Sequence, residues 1–271
     1  HSNRMETFML DLSDRRLRAA WINHDGAAAA TQKDGFDRPT LVFLHEGLGC
    51  IEMWRDFPLS LCQATGFRGF VYDRTAYGGS SPWPADPGIR YMHIEAQQVL
   101  PQVLAAAGIE DCILIGHSDG GSIALIYAGG APEPLHAVVT MAAHVYAEPV
   151  SIESIAKAKQ AFDRGDLAHR LRKYHGENTE RAFRLWSEGW LDADFAGWNI
   201  EEFLPGIDVP LLAIQGEDDE YGTEAQLGTI AGKAGGYADT RLSANCSHSP
   251  HPRAPAATRA AIARFIAPFV G

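Results

Sequence analysis

The sequence predicts an α/β fold built on a mostly parallel sheet, and three observations carry that reading. Short apolar runs alternate with helical patterns along most of the chain. The runs at 40–44, 69–72, 112–115, 137–141 and 209–214 are almost continuously apolar, as strands covered on both faces must be. The chain has 271 residues, 46% of them hydrophobic, which is enough for one well-buried core or a core with one insertion.

Taken in order, residues 7–10 and 16–22 flank the turn-forming pair Ser13-Asp14 and predict an antiparallel hairpin at a sheet edge. Residues 27–38 break the pattern and predict a loop. Strand 40–44 ends in His45-Glu46-Gly47-Leu48-Gly49, and a helical pattern over 52–64 leads to strand 69–72. A turn-rich loop from Asp73 to Arg90 precedes a helix over 91–107 that stops at Gly108. Strand 112–115 feeds a turn and a helix ending at Gly129-Gly130, and strand 137–141 follows. Over 142–206 the strands vanish, charge rises and Trp186, Trp190 and Trp198 appear. Segments 151–164, 166–175 and 179–190 have helical spacing, so 142–206 reads as a helical cap, or lid, inserted into a core formed by 5–141 and 207–271. That core resumes with strand 209–214, helix 223–233, a short strand at 240–242 and a closing amphipathic helix over 255–269. His1 to Arg4 read as the remnant of an expression tag.

The totals narrow the partners. Lys and Arg number 23 against 34 Asp and Glu, and the net charge of −11 repels phosphate backbones and anionic lipid surfaces. Neither nucleic acid nor membrane is an expected partner. No apolar run approaches the roughly 20 residues of a membrane span, and no apolar signal region opens the chain. Cys50, Cys62, Cys112 and Cys246 are scattered without a C-x-x-C, so reduced thiols and a cytoplasmic setting are expected.

The chemistry centres on Ile115-Gly116-His117-Ser118-Asp119-Gly120-Gly121, a strand, an abrupt turn and a helix with one serine at the turn. Gly116 and Gly120 flank Ser118 at the G-x-S-x-G spacing, where bulkier side chains would collide with strand and helix. The plain alternative is a glycine-rich turn bearing a solvated serine. The strand before and the helix after favour a nucleophile elbow, whose first helical amide, from Asp119, is free to donate to an oxyanion.

In an open parallel sheet ligands gather at the carboxyl ends of the strands, so the other chemical groups are sought in the loops there. A serine hydroxyl needs a base, and a histidine with an unperturbed pKa of about 6.5 suits the task. His248, in Cys246-Ser247-His248-Ser249-Pro250-His251, is the candidate base. A carboxylate on its far nitrogen would fix the tautomer; Asp219 is the candidate and Asp218 its nearest competitor, from Gly216-Glu217-Asp218-Asp219-Glu220. Gly47 is placed to give a second oxyanion amide. His251 stands three residues from His248, but with no third convergent ligand no metal site is expected, and this chemistry needs no cofactor.

Together these features resemble the α/β-hydrolase superfamily: the elbow, the His45–Gly49 loop, the segment Asp73-Arg74-Thr75-Ala76-Tyr77-Gly78-Gly79-Ser80, the acid turn and the histidine loop, spread over Thr40 to Phe269. The resemblance implies an eight-stranded sheet flanked by helices, with the cap inserted after the sixth strand. It also implies that the acid is the residue three after the strand-terminal glycine, which is Asp219. The chain departs from the family at Glu46 and at Ala76, each standing where the family has glycine.

The resulting expectation is a serine hydrolase that cleaves a small or medium carboxylic ester through an acyl-enzyme, with Ser118, His248 and Asp219 as triad and Gly47 and Asp119 as oxyanion donors. Lactone, thioester and carbon–carbon bond hydrolysis use the same triad, and a non-hydrolytic ligand-binding protein is the rival of another class. His144, Trp186, Trp190 and Tyr77 are the candidates for the substrate pocket, with Phe183, Phe195, Trp198, Trp54 and Trp83 as further rings that either line it or hold the cap down. Arg74, Arg170, Arg172 and Lys173 read as scattered surface charges unless the substrate is anionic. A monomer or homodimer acting on a small molecule is expected.

Overall fold

The computed structural model describes residues 5–22 and 38–269. The tag reading at 1–4 and most of the loop predicted at 27–38 lie outside those residues. Strands β1 (Thr7–Asp11) and β2 (Arg16–Ile22) form the expected antiparallel hairpin. There follow β3 (Thr40–Leu44), α1 (Phe57–Thr65), β4 (Gly69–Tyr72), α2 (Tyr91–Ile94), α3 (Leu100–Ala107), β5 (Cys112–His117), α4 (Asp119–Gly129) and β6 (Leu135–Met141). Helices α5 (Pro149–Arg164), α6 (Leu167–His175) and α7 (Thr179–Leu191) come next, all between β6 and β7 (Leu211–Gly216). The chain closes with α8 (Ala225–Lys233), β8 (Ala238–Ser243), α9 (Pro250–Arg253) and α10 (Pro255–Ile266).

The eight strands form one sheet in the order β1-β2-β4-β3-β5-β6-β7-β8. Its edge hairpin is antiparallel and every pairing from β4 through β8 is parallel. Both faces are covered, which is why the central strands are apolar at every position. Cys112 and Leu114 enter the core layer under α3, α4 and the helices that follow β6, whereas Ile113 and Ile115 enter the layer under α1 and α10. Because the parallel strands run the same way, the loops after β3, β4, β5, β6, β7 and β8 share one rim.

Two helical predictions were too simple. The 52–64 pattern is a 3-10 turn at Glu52–Trp54 followed by α1, divided at Arg55 by a φ of +56° and restarted with Pro58 in the first turn, where its missing N–H costs nothing. The 91–107 helix contains a π-helical stretch at Glu95–Val99, in which the buried Glu95 accepts the Thr75 N–H at 3.3 Å. Side-chain spacing reports neither feature, because the apolar face is continuous across both.

The loop after β4 is held by Asp73, which is fully buried and accepts the amides of Ile51 at 2.8 Å and Gly79 at 2.9 Å and pairs with Arg18 at 3.2 Å. Ala76, standing where the family has glycine, takes a φ of +69°, so the departure is carried as backbone strain in this same loop. Asp73→Asn turns one acceptor oxygen into a donor facing these amides. The variant is expected to lose about 2 kcal/mol of stability, read by urea unfolding; an unchanged midpoint would remove this role. All four cysteines are buried and unpaired, and among the described residues no helix is long and apolar enough to cross a membrane.

Candidate active site

The turn between β5 and α4 is tight. A Cβ on Gly116 would lie 2.3 Å from the Gly120 carbonyl oxygen, and one on Gly120 would lie 2.0 Å from the Leu44 carbonyl oxygen. Glycine is therefore required by backbone proximity at both places. Ser118 sits between them at φ +54°, ψ −118°, a strained conformation that lifts its side chain off the strand end.

The three residues sought in separate loops meet there. His248 Nε2 is 2.8 Å from Ser118 Oγ, and His248 Nδ1 is 2.8 Å from Asp219 Oδ1. Asp219 can only accept, so Nδ1 carries the proton and Nε2 is left bare toward the serine hydroxyl. Asp219 also accepts the Tyr221 N–H at 2.8 Å. Burial pushes its carboxyl up, but the His248 hydrogen bond and charge, with the Tyr221 amide, outweigh that and hold it below its ordinary value. Asp218 is exposed, and its backbone amide goes to the Cys246 carbonyl at 2.8 Å. Cys246 is a packed thiol whose pKa burial raises.

Gly47 lies beside the turn: a Cβ there would be 3.1 Å from Asp119 Oδ2 and 2.4 Å from Trp186 Nε1. Its N–H has no acceptor among the described residues, and the Asp119 N–H, opening α4, has none within its helix. Glu46 turns away toward His117, whose Nδ1 is 3.0 Å from Glu46 Oε2 and whose Nε2 is 3.0 Å from the His248 carbonyl oxygen. The family's glycine is thus replaced by a carboxylate that braces the histidine loop through the residue before Ser118. Burial opposes ionisation of Glu46, but the His117 hydrogen bond and charge bring it down to about 2. Sequence reading passed over His117, although it is the variable residue of the G-x-S-x-G pattern. His45 is structural: its Nε2 accepts the Arg74 N–H at 2.8 Å and its Nδ1 donates to the Glu46 carbonyl at 2.7 Å.

Trp186 covers Gly47, and the Trp190 ring lies 5.1 Å from that of His144, itself 6.1 Å from His248. Burial and the neighbouring His248 lower the pKa of His144; its Nε2–H donates to the Tyr221 carbonyl at 2.9 Å. Tyr77 packs edge-on against His45 at 5.2 Å and, with Arg74, Tyr91, Trp83 and Trp186, lines a narrow cavity of only about 10 Å³. All four pocket candidates are therefore at or next to this rim.

Two expectations fail, those for Trp54 and Arg74. Trp54 is on the far side of the sheet, packed against Phe43, Phe57 and His251, because the 3-10 turn before α1 directs it there. Phe183 stacks on Phe162 at 4.0 Å and so joins α7 to α5, while Phe195 lies 4.4 Å from Trp190 and stacks on Trp198 at 5.2 Å; these rings take the packing role, the second of the two expected of them. Arg74 is no surface charge: it is 1% exposed, and its Nε–H donates to the His45 carbonyl at 3.2 Å. His251 packs against His117 at 4.7 Å, and burial with that neighbour lowers its pKa to about 3.

Residues 39–176, half of the chain, match the family model described as the alpha/beta hydrolase fold. The chain belongs to that family. One curated relative of this α/β-hydrolase is the sn-1-specific diacylglycerol lipase ABHD11 of Mus musculus, 31% identical over 103 residues. That match covers 38% of the chain and only 32% of the relative, about a third of its length. Among solved structures, the 2-hydroxy-6-oxo-6-phenylhexa-2,4-dienoate hydrolase of Rhodococcus sp. strain RHA1 superposes with a TM-score of 0.76 at 15% identity, covering 97% of this chain and 99% of that one. The enol-lactonase of Burkholderia xenovorans LB400 gives 0.71 at 17% identity, covering 96% and 99%. At such identities the likeness of this α/β-hydrolase to those two enzymes is one of fold.

Proposed function

We propose that this α/β-hydrolase cleaves a small or medium carboxylic ester through an acyl-enzyme on Ser118. The observation that carries the reading is the row Ser118 Oγ, His248 Nε2, His248 Nδ1, Asp219 Oδ1, linked at 2.8 Å and 2.8 Å. His248 takes the serine proton as Oγ bonds to the carbonyl carbon, and Asp219 stabilises the imidazolium that results. The amides of Gly47 and Asp119 receive the oxyanion. His248 then returns its proton to the leaving alkoxide, and a water deprotonated by the same nitrogen releases the acid. The helices between β6 and β7 serve as a cap whose Trp186 and Trp190, with His144 and Tyr77 from the core, surround the acyl or alcohol arm.

A fluorophosphonate probe is expected to label Ser118, and short-chain aryl esters are expected to be turned over. A protein that is neither labelled nor active would favour the ligand-binding alternative. Lactones or thioesters cleaved in place of esters would reassign the leaving group and keep the triad. The pH dependence follows from the same row. Asp219 is held below its ordinary value, so its carboxylate persists further into acid than that of a free aspartate. kcat/KM is therefore expected to fall along a one-proton acid limb as the imidazole gains its second proton. Activity flat across that limb would exclude His248 as the base.

A further inference from the structure

The group nearest the reaction centre that this mechanism leaves unused is the side chain of Asp119. It is 2% exposed, and one oxygen, Oδ2, accepts the Tyr91 hydroxyl. The direction of that bond is set, because Tyr91 Oη accepts the Trp190 Nε1–H at 3.0 Å and must donate its own proton onward. The other oxygen, Oδ1, has no hydrogen-bond partner, and Asp119 forms no ion pair among the described residues. The buried guanidinium of Arg74 is near enough to feel its charge, yet is not bonded to it.

The carboxyl borders the oxyanion loop, with Oδ2 3.1 Å from where a Gly47 Cβ would stand, and its unbonded Oδ1 is not among the polar atoms sealed from solvent, so it is open to an incoming donor. Negative charge there opposes the charge that develops on the substrate oxygen unless further donors offset it. A donor delivered by the substrate to Oδ1 would offset that charge. Resting on the acyl-transfer reading above, we infer that Asp119 is a specificity-determining residue whose free oxygen receives a hydroxyl or ammonium group on the acyl arm, on the carbon next to the scissile carbonyl. The residue thus has two roles: its amide serves the oxyanion, and its carboxyl reads the acyl group. Trp186 and Trp190 bring the aromatic wall against that group, and the Trp190–Tyr91–Asp119 chain ties α7 to the selecting carboxyl.

The test compares the ethyl esters of propanoic, 2-hydroxypropanoic and 2-aminopropanoic acids, each kcat/KM divided by the ester's hydroxide-catalysed rate, since an α substituent activates the carbonyl by itself. The native enzyme is expected to favour at least one donor-bearing ester by about tenfold to a hundredfold, the yield of a hydrogen bond to a charged group. Asp119→Asn is expected to shrink that ratio to within about threefold. A larger fall for the ammonium ester than for the hydroxy ester identifies charge recognition, and the reverse identifies a neutral donor. Equal normalised rates for all three esters, or a ratio that survives Asp119→Asn, overturn the inference. Calorimetric binding of lactamide against propanamide to the native protein needs neither the variant nor turnover: tighter lactamide binding is expected, and equal binding overturns the inference. If no ester is cleaved and Ser118 is not labelled, the acyl-transfer reading fails separately.

Discussion

Replacing Ser118 with alanine is expected to lower kcat for the proposed ester hydrolysis by about ten-thousandfold to a millionfold, leaving only what the amides proposed to receive the oxyanion and substrate positioning supply. Neither Cys246 nor Ser122 is poised to take over. Cys246 is buried with its thiol pKa raised, and the Ser122 hydroxyl is engaged by the His144 backbone, donating to its carbonyl at 2.6 Å and accepting its N–H at 3.0 Å. The loss should appear in kcat more than in KM, because the serine oxygen bonds to substrate only on the way to the transition state. Stability should change by no more than about 1 kcal/mol, since alanine keeps the same strained φ and gives up one hydrogen bond. His248→Ala should match this loss of activity, and Asp219→Asn should follow at about ten-thousandfold, through the wrong tautomer. Steady-state kinetics beside urea unfolding read all of this. A Ser118→Ala enzyme that retained a tenth of the native rate would remove the acyl-enzyme from the mechanism.

Gly120→Ala is expected to be the most damaging single methyl addition on this rim, costing more than about 3 kcal/mol or preventing folding. The new Cβ would meet the Leu44 carbonyl oxygen at 2.0 Å and the His45 carbonyl oxygen at 2.6 Å. Both are backbone atoms, so no rotamer change relieves the contact. Moving Leu44 away means breaking its register with Gly116 in the β3–β5 pair, which also sets the height of Gly47 beside Ser118. Gly232→Ala is the control: it lies in α8, meets nothing within 4 Å, and is expected to be neutral or to stabilise by up to about 1 kcal/mol. A soluble Gly120→Ala protein with the native urea midpoint would show that the turn has slack which its geometry does not reveal.

Much of the fold was legible before any coordinates. The continuously apolar runs marked β3 to β7 because a strand covered on both faces has no position for a polar side chain. The edge hairpin announced itself through Ser13-Asp14, and α7 through its spacing of Ala182, Phe183, Trp186 and Trp190. The π-helical stretch at Glu95–Val99 and the break at Arg55 were invisible, since each shifts the backbone without interrupting the apolar pattern. The site divides in the same way. Ser118 and its glycines are a local motif, whereas Tyr91 carries no local sign of its bond to Asp119, 28 residues away.

What the amino-acid order determined by itself is what neighbours along the chain decide: strand or helix, the positions where only glycine fits a turn, and a serine, an acid and a histidine each placed just after a strand. The tertiary structure decided the partners. It put His248 on Asp219 and left Asp218 in solvent, aimed Glu46 at His117, buried Arg74 beside α7 and carried Trp54 to the opposite face. The reason is geometric. Strand order 4-3-5-6-7-8 brings loops more than a hundred residues apart to one edge, and a hydrogen bond depends on the angstroms between two atoms there, a distance no pattern of nearest neighbours encodes.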